Sequence, residues 1–329
     1  MPSPSSALST LRPDLASSLE EFDLLADRQN FIGIKAAPVI EVGKASGTFG
    51  RIPIEQLLQR RETRRASGGG YSRGSWTFEP DSYACQEHGA EEPVDDRDEA
   101  MYRDYFDAEL IAAQRALDAV LREQEIRLAT MLFNATTWTG AGLTTAVTLE
   151  WDANDTAAAI PIHDVEGAVR KVWDATGLWP NALIINRNVF RNLRNLDQIV
   201  DRIEASGAGQ AAKPGDITPQ ILARVFDLDY VLIGGGAYNS AKEGQTAVVS
   251  KIWTDEYAMV ARVATTSDPK EPCVARIFHW AEDGSEIGGT IETYREETVR
   301  SDIVRARNDC DEKVMYVECA HLLSNVTTI

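Results

Sequence analysis

One stretch limits what this chain can fold into more than any other. From residue 98 to residue 133, in DEAMYRDYFDAELIAAQRALDAVLREQEIRLATMLF, no Gly or Pro interrupts a run rich in Ala, Leu, Glu, Arg and Gln, all good helix formers. Met101, Tyr105, Ala108, Ala112, Leu117, Leu121, Leu128 and Leu132 fall on one stripe at helical spacing. The spacing predicts a single helix over 98–133, about 50 Å long at a rise of 1.5 Å per residue. That exceeds the usual globular helix, so the fold has to be laid out along a beam.

The segment in front of the helix has little to bury. AAPVIEVGKASGTFGRIPI is strand-like, with Val39, Ile40, Val42, Phe49 and Ile52 broken by Gly43, Gly47, Gly50 and Pro53. EQLLQRRETRRASGGGYSRGS follows, carrying Arg60, Arg61, Arg64, Arg65 and Arg73, and then a second strand-like run, SWTFEPDSYACQEHG. The pattern predicts an extended hairpin over 36–90 with a glycine-rich, basic tip that has no core of its own. A loop this long needs a job. An acidic run comes next: Glu91, Glu92, Asp95, Asp96, Asp98 and Glu99. Nearer the N-terminus, Leu19, Phe22, Leu25 and Ala26 recur at helical spacing behind a Ser17 or Ser18 cap. So short a helix cannot bury its apolar face alone and reads as an arm that docks elsewhere.

After a polar, Thr-rich stretch over 134–160 the pattern alternates. HDVEGAVRKVWDATG reads as a helix stopped by Gly177, NALIIN as a short buried strand, RNVFRNLRNLDQIVDRIEA as helical, AGQAAKPGD as a loop and TPQILARVFDLD as a helix. YVLIGGGAYN is a strand running into a glycine turn, and AVVSKIWTDEYAMVARV supplies further strands. The tail from Gly288 reads as long strands with a turn near Asn308-Asp309. No internal repeat is visible.

Length and composition bound the function. The chain has 329 residues, enough for one large or two medium domains. Its net charge is -18 and its pI about 4.7, whereas a protein that neutralises phosphates is basic at least locally. No window reaches the roughly 18 uninterrupted apolar residues of a membrane helix. MPSPSSALSTLRPDL lacks the layout of a signal peptide. The expectation is a soluble protein made in a cytoplasm, with no membrane partner.

No catalytic constellation emerges. Cys85, Cys273, Cys310 and Cys319 form no CxxC pair and read as reduced, partly buried thiols. His88, His163, His279 and His321 are scattered, and His163 beside Asp164 reads as structural. Gly234-Gly235-Gly236 follows a strand, but GGGAYN fits neither GxGxxG before a helix nor GxxxxGKS/T. Asp152 and Asp155 in WDANDT lack the ligand count of a calcium loop and read as a turn. GxSxG, HExxH and nucleophilic-Cys motifs do not occur. The sequence therefore predicts no catalytic residue, no cofactor, no metal and no enzyme.

The order of parts carries a resemblance. An arm, a basic hairpin, one long helix, an α/β middle and closing strands resemble the Hong Kong 97 capsid fold of tailed phages. RRETRRASGGGYSRGSW, EEPVDDRDEA, LEWDANDTAAAIPIHDVEGAV, WDATGLWPNALIINRNVFRNLRNL, YVLIGGGAYNSA and SDIVRARNDCDEKVMYVECAHLL are similar to that family, and together they span nearly the whole chain. The resemblance implies an α+β fold: an N-terminal arm over 1–35, an extended E-loop hairpin over 36–90, a peripheral domain over 91–159 with its spine helix at 98–133, an α/β axial domain over 160–285, and return strands to the peripheral domain over 286–329. It implies a major capsid protein whose pentamers and hexamers form an icosahedral shell around double-stranded phage DNA, without sequence-specific binding, in a virion assembled in the bacterial cytoplasm.

Under that reading the chain's first partner is itself. Arg60, Arg61, Arg64, Arg65 and Arg73 at the E-loop tip meet Glu91, Glu92, Asp95 and Asp96 of an adjacent subunit. A portal, a decoration protein and a separate scaffolding protein (or a removed precursor part) are the other expected partners. The only Lys in 36–90 is Lys44, away from the tip, which predicts a shell without covalent cross-links. Two alternatives remain: an encapsulin-type compartment with the same fold, and an intracellular α/β enzyme with a nucleotide turn at 234–236.

Overall fold

The computed structural model describes residues 10–11, 30–75, 77–102, 107–152, 158–205, 217–242 and 244–328. Its strands are β1 (Thr10–Leu11), β2 (Val39–Val42), β3 (Ser46–Arg51), β4 (Glu79–Ala84), β5 (Gln86–Asp95), β6 (Thr144–Ala146), β7 (Ala182–Asn186), β8 (Tyr230–Gly234), β9 (Ala237–Asn239), β10 (Val249–Lys251), β11 (Ala258–Ala261), β12 (Ala275–Trp280), β13 (Thr290–Glu296), β14 (Ser301–Val314) and β15 (Ala320–Ser324). Its helices are α1 (Gly33–Ala36), α2 (Ile54–Leu57), α3 (Asp96–Tyr102), α4 (Ala108–Leu132), α5 (Pro161–Thr176), α6 (Arg187–Leu193), α7 (Asp197–Ala205) and α8 (Pro219–Val225). The expected arm helix and the loop AGQAAKPGD lie outside the described residues.

The helix expected over 98–133 is not continuous. It is divided into α3 and α4, because Asp107 takes an extended conformation (φ −85°, ψ 105°) and its carboxylate accepts from the Leu110 N–H at 3.2 Å. That is a helix N-cap, and a capping Asp inside a run of helix formers leaves no mark on the periodicity. The 25 residues of α4 make a rod of about 37 Å. Its first half buries Ala112, Ala113, Ala116, Leu117 and Val120 against Val94, Ile291, Val304 and Ala306. Its second half buries Leu128, Ala129 and Leu132 with Ile32, Ile184, Trp253 and Met259. One rod thus braces both large sheets.

The first sheet has six strands in the order β1-β13-β14-β12-β2, with β5 also paired to β14. β14 is its axis. One edge takes β5 from Ser301↔Asp95 to Cys310↔Gln86, and the other takes β13 and then β12. The turn expected near Asn308-Asp309 is absent. Both residues are buried in mid-strand, and the chain reverses instead between β13 and β14, where Arg300 has φ +55°. Asp309 belongs to a buried ion network and the Asn308 amide donates to the Ile287 carbonyl, so neither residue marks a turn.

The second sheet has five strands, β6-β15-β11-β7-β8. β7 is buried at every position, and α5 to α8 pack their apolar side chains into the core around it. α5 begins at Pro161 and stops at Gly177, which has φ +70°, a left-handed stop that suits glycine. The helical segment after β7 is two helices, α6 and α7, broken over 194–196.

Sheet membership does not follow the order of the chain. β6, expected with the peripheral part, and β15, expected among its return strands, both belong to the second sheet. β12, expected in the axial part, belongs to the first. Long-range pairing decides this, and local pattern carries no information on it.

Candidate functional site

Among the described residues β3 and β4 pair only with each other, from Ser46↔Ala84 to Arg51↔Glu79. The hairpin proper is therefore shorter than 36–90. β2 lies in the first sheet parallel to β12, and residues 86–90 are part of β5. The base of the hairpin is clasped to the body. Tyr83 stacks on Phe278 at 4.8 Å, and Phe49 lies 5.7 Å from the same ring. Lys313 donates to Asp81 at 2.6 Å, Asp311 accepts from the Ala84 N–H at 2.9 Å, and Arg51 donates to the Met315 carbonyl. Ile54 plugs into the core beside Ile32 and Ala36.

Beyond this root the chain is open to solvent. Arg60, Arg64, Arg65 and Arg73 are exposed, and Arg61 is half-buried. Arg65 lies over the Tyr71 ring at 4.7 Å and donates to the Gly69 carbonyl. Among the described residues no carboxylate forms an ion pair with Arg60, Arg64 or Arg73. Lys44 sits in the bend between β2 and β3, exposed and away from the tip.

Three acids of the run, Glu91, Glu92 and Asp96, pair with arginines of their own chain. Glu91 pairs with Arg305 at 2.7 Å and Glu92 with Arg115 at 3.5 Å. Asp96 accepts from both terminal nitrogens of Arg295, at 2.5 and 2.8 Å, and those bonds hold its carboxyl below the ordinary range. The Asp95 carboxylate accepts from the Arg97 N–H. No described ion pair joins these acids to the tip arginines.

Two clusters escaped sequence reasoning. Glu125, on the buried stripe of α4, accepts from the N–H groups of Ile32 and Gly33, each at 2.8 Å, and from the Trp253 indole at 2.6 Å. Burial pushes its carboxyl above the ordinary value. A Glu in register with Leu121, Leu128 and Leu132 was the available signal. The second cluster surrounds Arg307, which pairs with Asp283 at 2.5 Å, Glu292 at 3.0 Å and Asp309 at 3.6 Å. Burial and the neighbouring Asp283 push Asp309 up to about 7. Burial would also raise Asp283, but hydrogen bonds from Asp309, Ser285 and Arg307 hold it below its usual range.

The glycine run at 234–236 is a packing device. A Cβ on Gly234 would stand 2.5 Å from the Trp253 ring, and one on Gly235 2.5 Å from Asn30 Cβ. Gly236 has φ +82°, and a strand follows it, not a helix. Asp152 accepts from the Thr328 N–H and so ties down the C-terminus.

No family model matches the chain. In sequence it is similar to the major capsid protein of Burkholderia phage BcepMu, 23% identical over 278 residues that cover 84% of this chain and 86% of that protein. Among solved structures it is similar to a phage-related protein from Bordetella bronchiseptica RB50, with a TM-score of 0.66 and 17% identity over 97% of this chain and 98% of that one. It is also similar to a chain from the capsid of cyanophage P-SCSP1u, with a TM-score of 0.56 and 12% identity over 88% of this chain and 86% of that one. Over most of its length the chain is similar in sequence to a phage major capsid protein, and it shares its fold with a phage-related protein and with a phage capsid chain.

Proposed function

We propose that the chain is the major capsid protein of a tailed phage or prophage, a Hong Kong 97-type subunit whose pentamers and hexamers close into an icosahedral shell around double-stranded DNA. The observation that carries this is the hairpin. Its root is clamped to the body, while its arginine-bearing tip has no core and, among the described residues, three of its arginines have no acidic partner. Such a limb gains burial only from a neighbour, through contacts that repeat around rings and close a cage. Each exposed arginine pair contributes about 0–1 kcal/mol, weak enough for reversible assembly and repeated hundreds of times.

Glu91, Glu92, Asp95 and Asp96 remain the proposed partners of the tip. Glu91 and Asp95 are exposed, and an incoming arginine would share or displace the intrachain pairs. The net charge of -18 suits a wall that leaves packaged DNA mobile. A scaffolding protein, a portal and a decoration protein are the expected further partners.

Negative-stain microscopy of the chain expressed with and without its scaffold tests the proposal. Closed shells are expected, and reversal of Arg60, Arg64 and Arg73 to Glu should abolish them while leaving circular dichroism unchanged. A chain that stays monomeric in every condition overturns the proposal. Shells filled with protein cargo rather than DNA would make it a compartment instead.

A further inference from the structure

The outer face of α5, α7 and α8 holds a cleft of about 440 Å³ for which the hairpin has no use. Arg170 and Glu166 of α5, Arg202 of α7 and Arg224 of α8 line it, together with Trp179 and Asp227. Trp179 is 45% exposed and Trp173 is 50% exposed, and their rings meet edge to face at 6.2 Å. The Trp179 indole donates to the Asp227 carbonyl at 3.2 Å, and the Trp179 carbonyl accepts from Arg262 at 2.9 Å. The ring is therefore held in place without being covered. Leu58, itself exposed, reaches within 4.0 Å of where a Cβ on Gly177 would stand, so the apolar strip continues from the end of α5 to the base of the tip. Contiguous apolar surface rimmed by charge marks an interaction site.

Charge selects the occupant. Arg202 and Arg224 have no ion-pair partner among the described residues, and Arg170 has only Glu166, at 3.8 Å. Over 161–228 the eight basic residues balance the eight acidic ones, so the whole net charge of -18 falls on the rest of the chain. A charge-balanced segment that presents guanidinium and indole groups is complementary to the acidic remainder of another copy. Trp and Arg are also the residues that anchor protein interfaces most strongly, and the guanidinium fork matches carboxylates. A nucleic-acid strand fits less well, because Glu166 and Asp227 stand among the arginines and repel phosphate.

We propose that this cleft docks an acidic segment of a second copy of the chain, a contact separate from the hairpin tip. The inference rests on the shell reading, since the occupant is another subunit. The test places a photo-crosslinking amino acid at position 173 and mixes equal amounts of 15N-labelled and unlabelled chain under the conditions used for shell assembly. Mass spectrometry should find mixed-isotope links from position 173 to a peptide rich in Asp and Glu. Arg202→Glu combined with Arg224→Glu should lower their yield about tenfold with circular dichroism unchanged. Arg202→Gln with Arg224→Gln, which removes charge and keeps bulk, serves if the reversal disturbs folding. Links confined to one copy, links to nucleic acid or to a host protein, or a yield unmoved by the substitutions would overturn the proposal. If shells form and position 173 stays unlinked, the cleft proposal fails and the shell reading stands. If the unsubstituted chain never passes beyond a monomer, both fail.

Discussion

Removing the Glu125 carboxylate is expected to loosen the junction between α4 and the start of α1. The side chain is 3% exposed and receives three N–H groups, two from the backbone at the start of α1 and one from a fully buried indole. In Glu125→Ala all three donors lose their acceptor and a void opens beside Leu128. An orphaned buried donor costs about 1–3 kcal/mol, and water reaching some of the donors lowers the sum. The expected loss is about 3–5 kcal/mol, the range for breaking a buried charge interaction. Glu125→Gln keeps an oxygen for two donors and turns an amide NH2 toward the third, for a loss of about 1–3 kcal/mol. Urea unfolding of the unassembled chain, followed by tryptophan fluorescence, gives both numbers. Amide exchange adds a local readout, since Ile32 and Gly33 should lose protection before the buried strand β7. An Ala variant within about 0.5 kcal/mol of the parent, or unchanged protection at residues 32 and 33, would refute the reasoning.

Three further outcomes follow from the same structure. Asp309, raised to about 7 from an ordinary value of 3.8, holds a proton in the fold that the unfolded chain releases, so its contribution to stability falls as pH rises from about 4 to about 7. Asp309→Asn should flatten that part of the stability-pH curve and gain about 1–3 kcal/mol at pH 8; matching slopes in parent and variant would count against it. Leu128→Ala removes a fully buried side chain from the cluster shared by α4 and the second sheet and should cost about 2–5 kcal/mol in chemical denaturation. Mature particles should run as a single unlinked band on denaturing gels, and Lys44→Arg should leave that pattern unchanged; a covalent ladder would contradict the proposed absence of cross-links.

The sequence by itself determined the local elements. Strong periodicity marked α4, α5 and the buried strand β7, Gly177 marked a helix end, and the arginine-rich tip of the hairpin showed by composition that it could not bury itself. These features depend on neighbours a few residues away, which is the range over which propensity, capping and turn chemistry act. Only the tertiary structure decided that β15 leaves β14 for the second sheet, that Asn308 and Asp309 lie in mid-strand, and that Glu91, Glu92 and Asp96 are answered by Arg305, Arg115 and Arg295. It also decided that a lone glutamate on α4 seats the start of α1 more than 90 residues back in the chain. A polar residue reads as exposed until its partner is known, and the partner of a buried charge is supplied by the fold, from positions whose separation in sequence carries no signal.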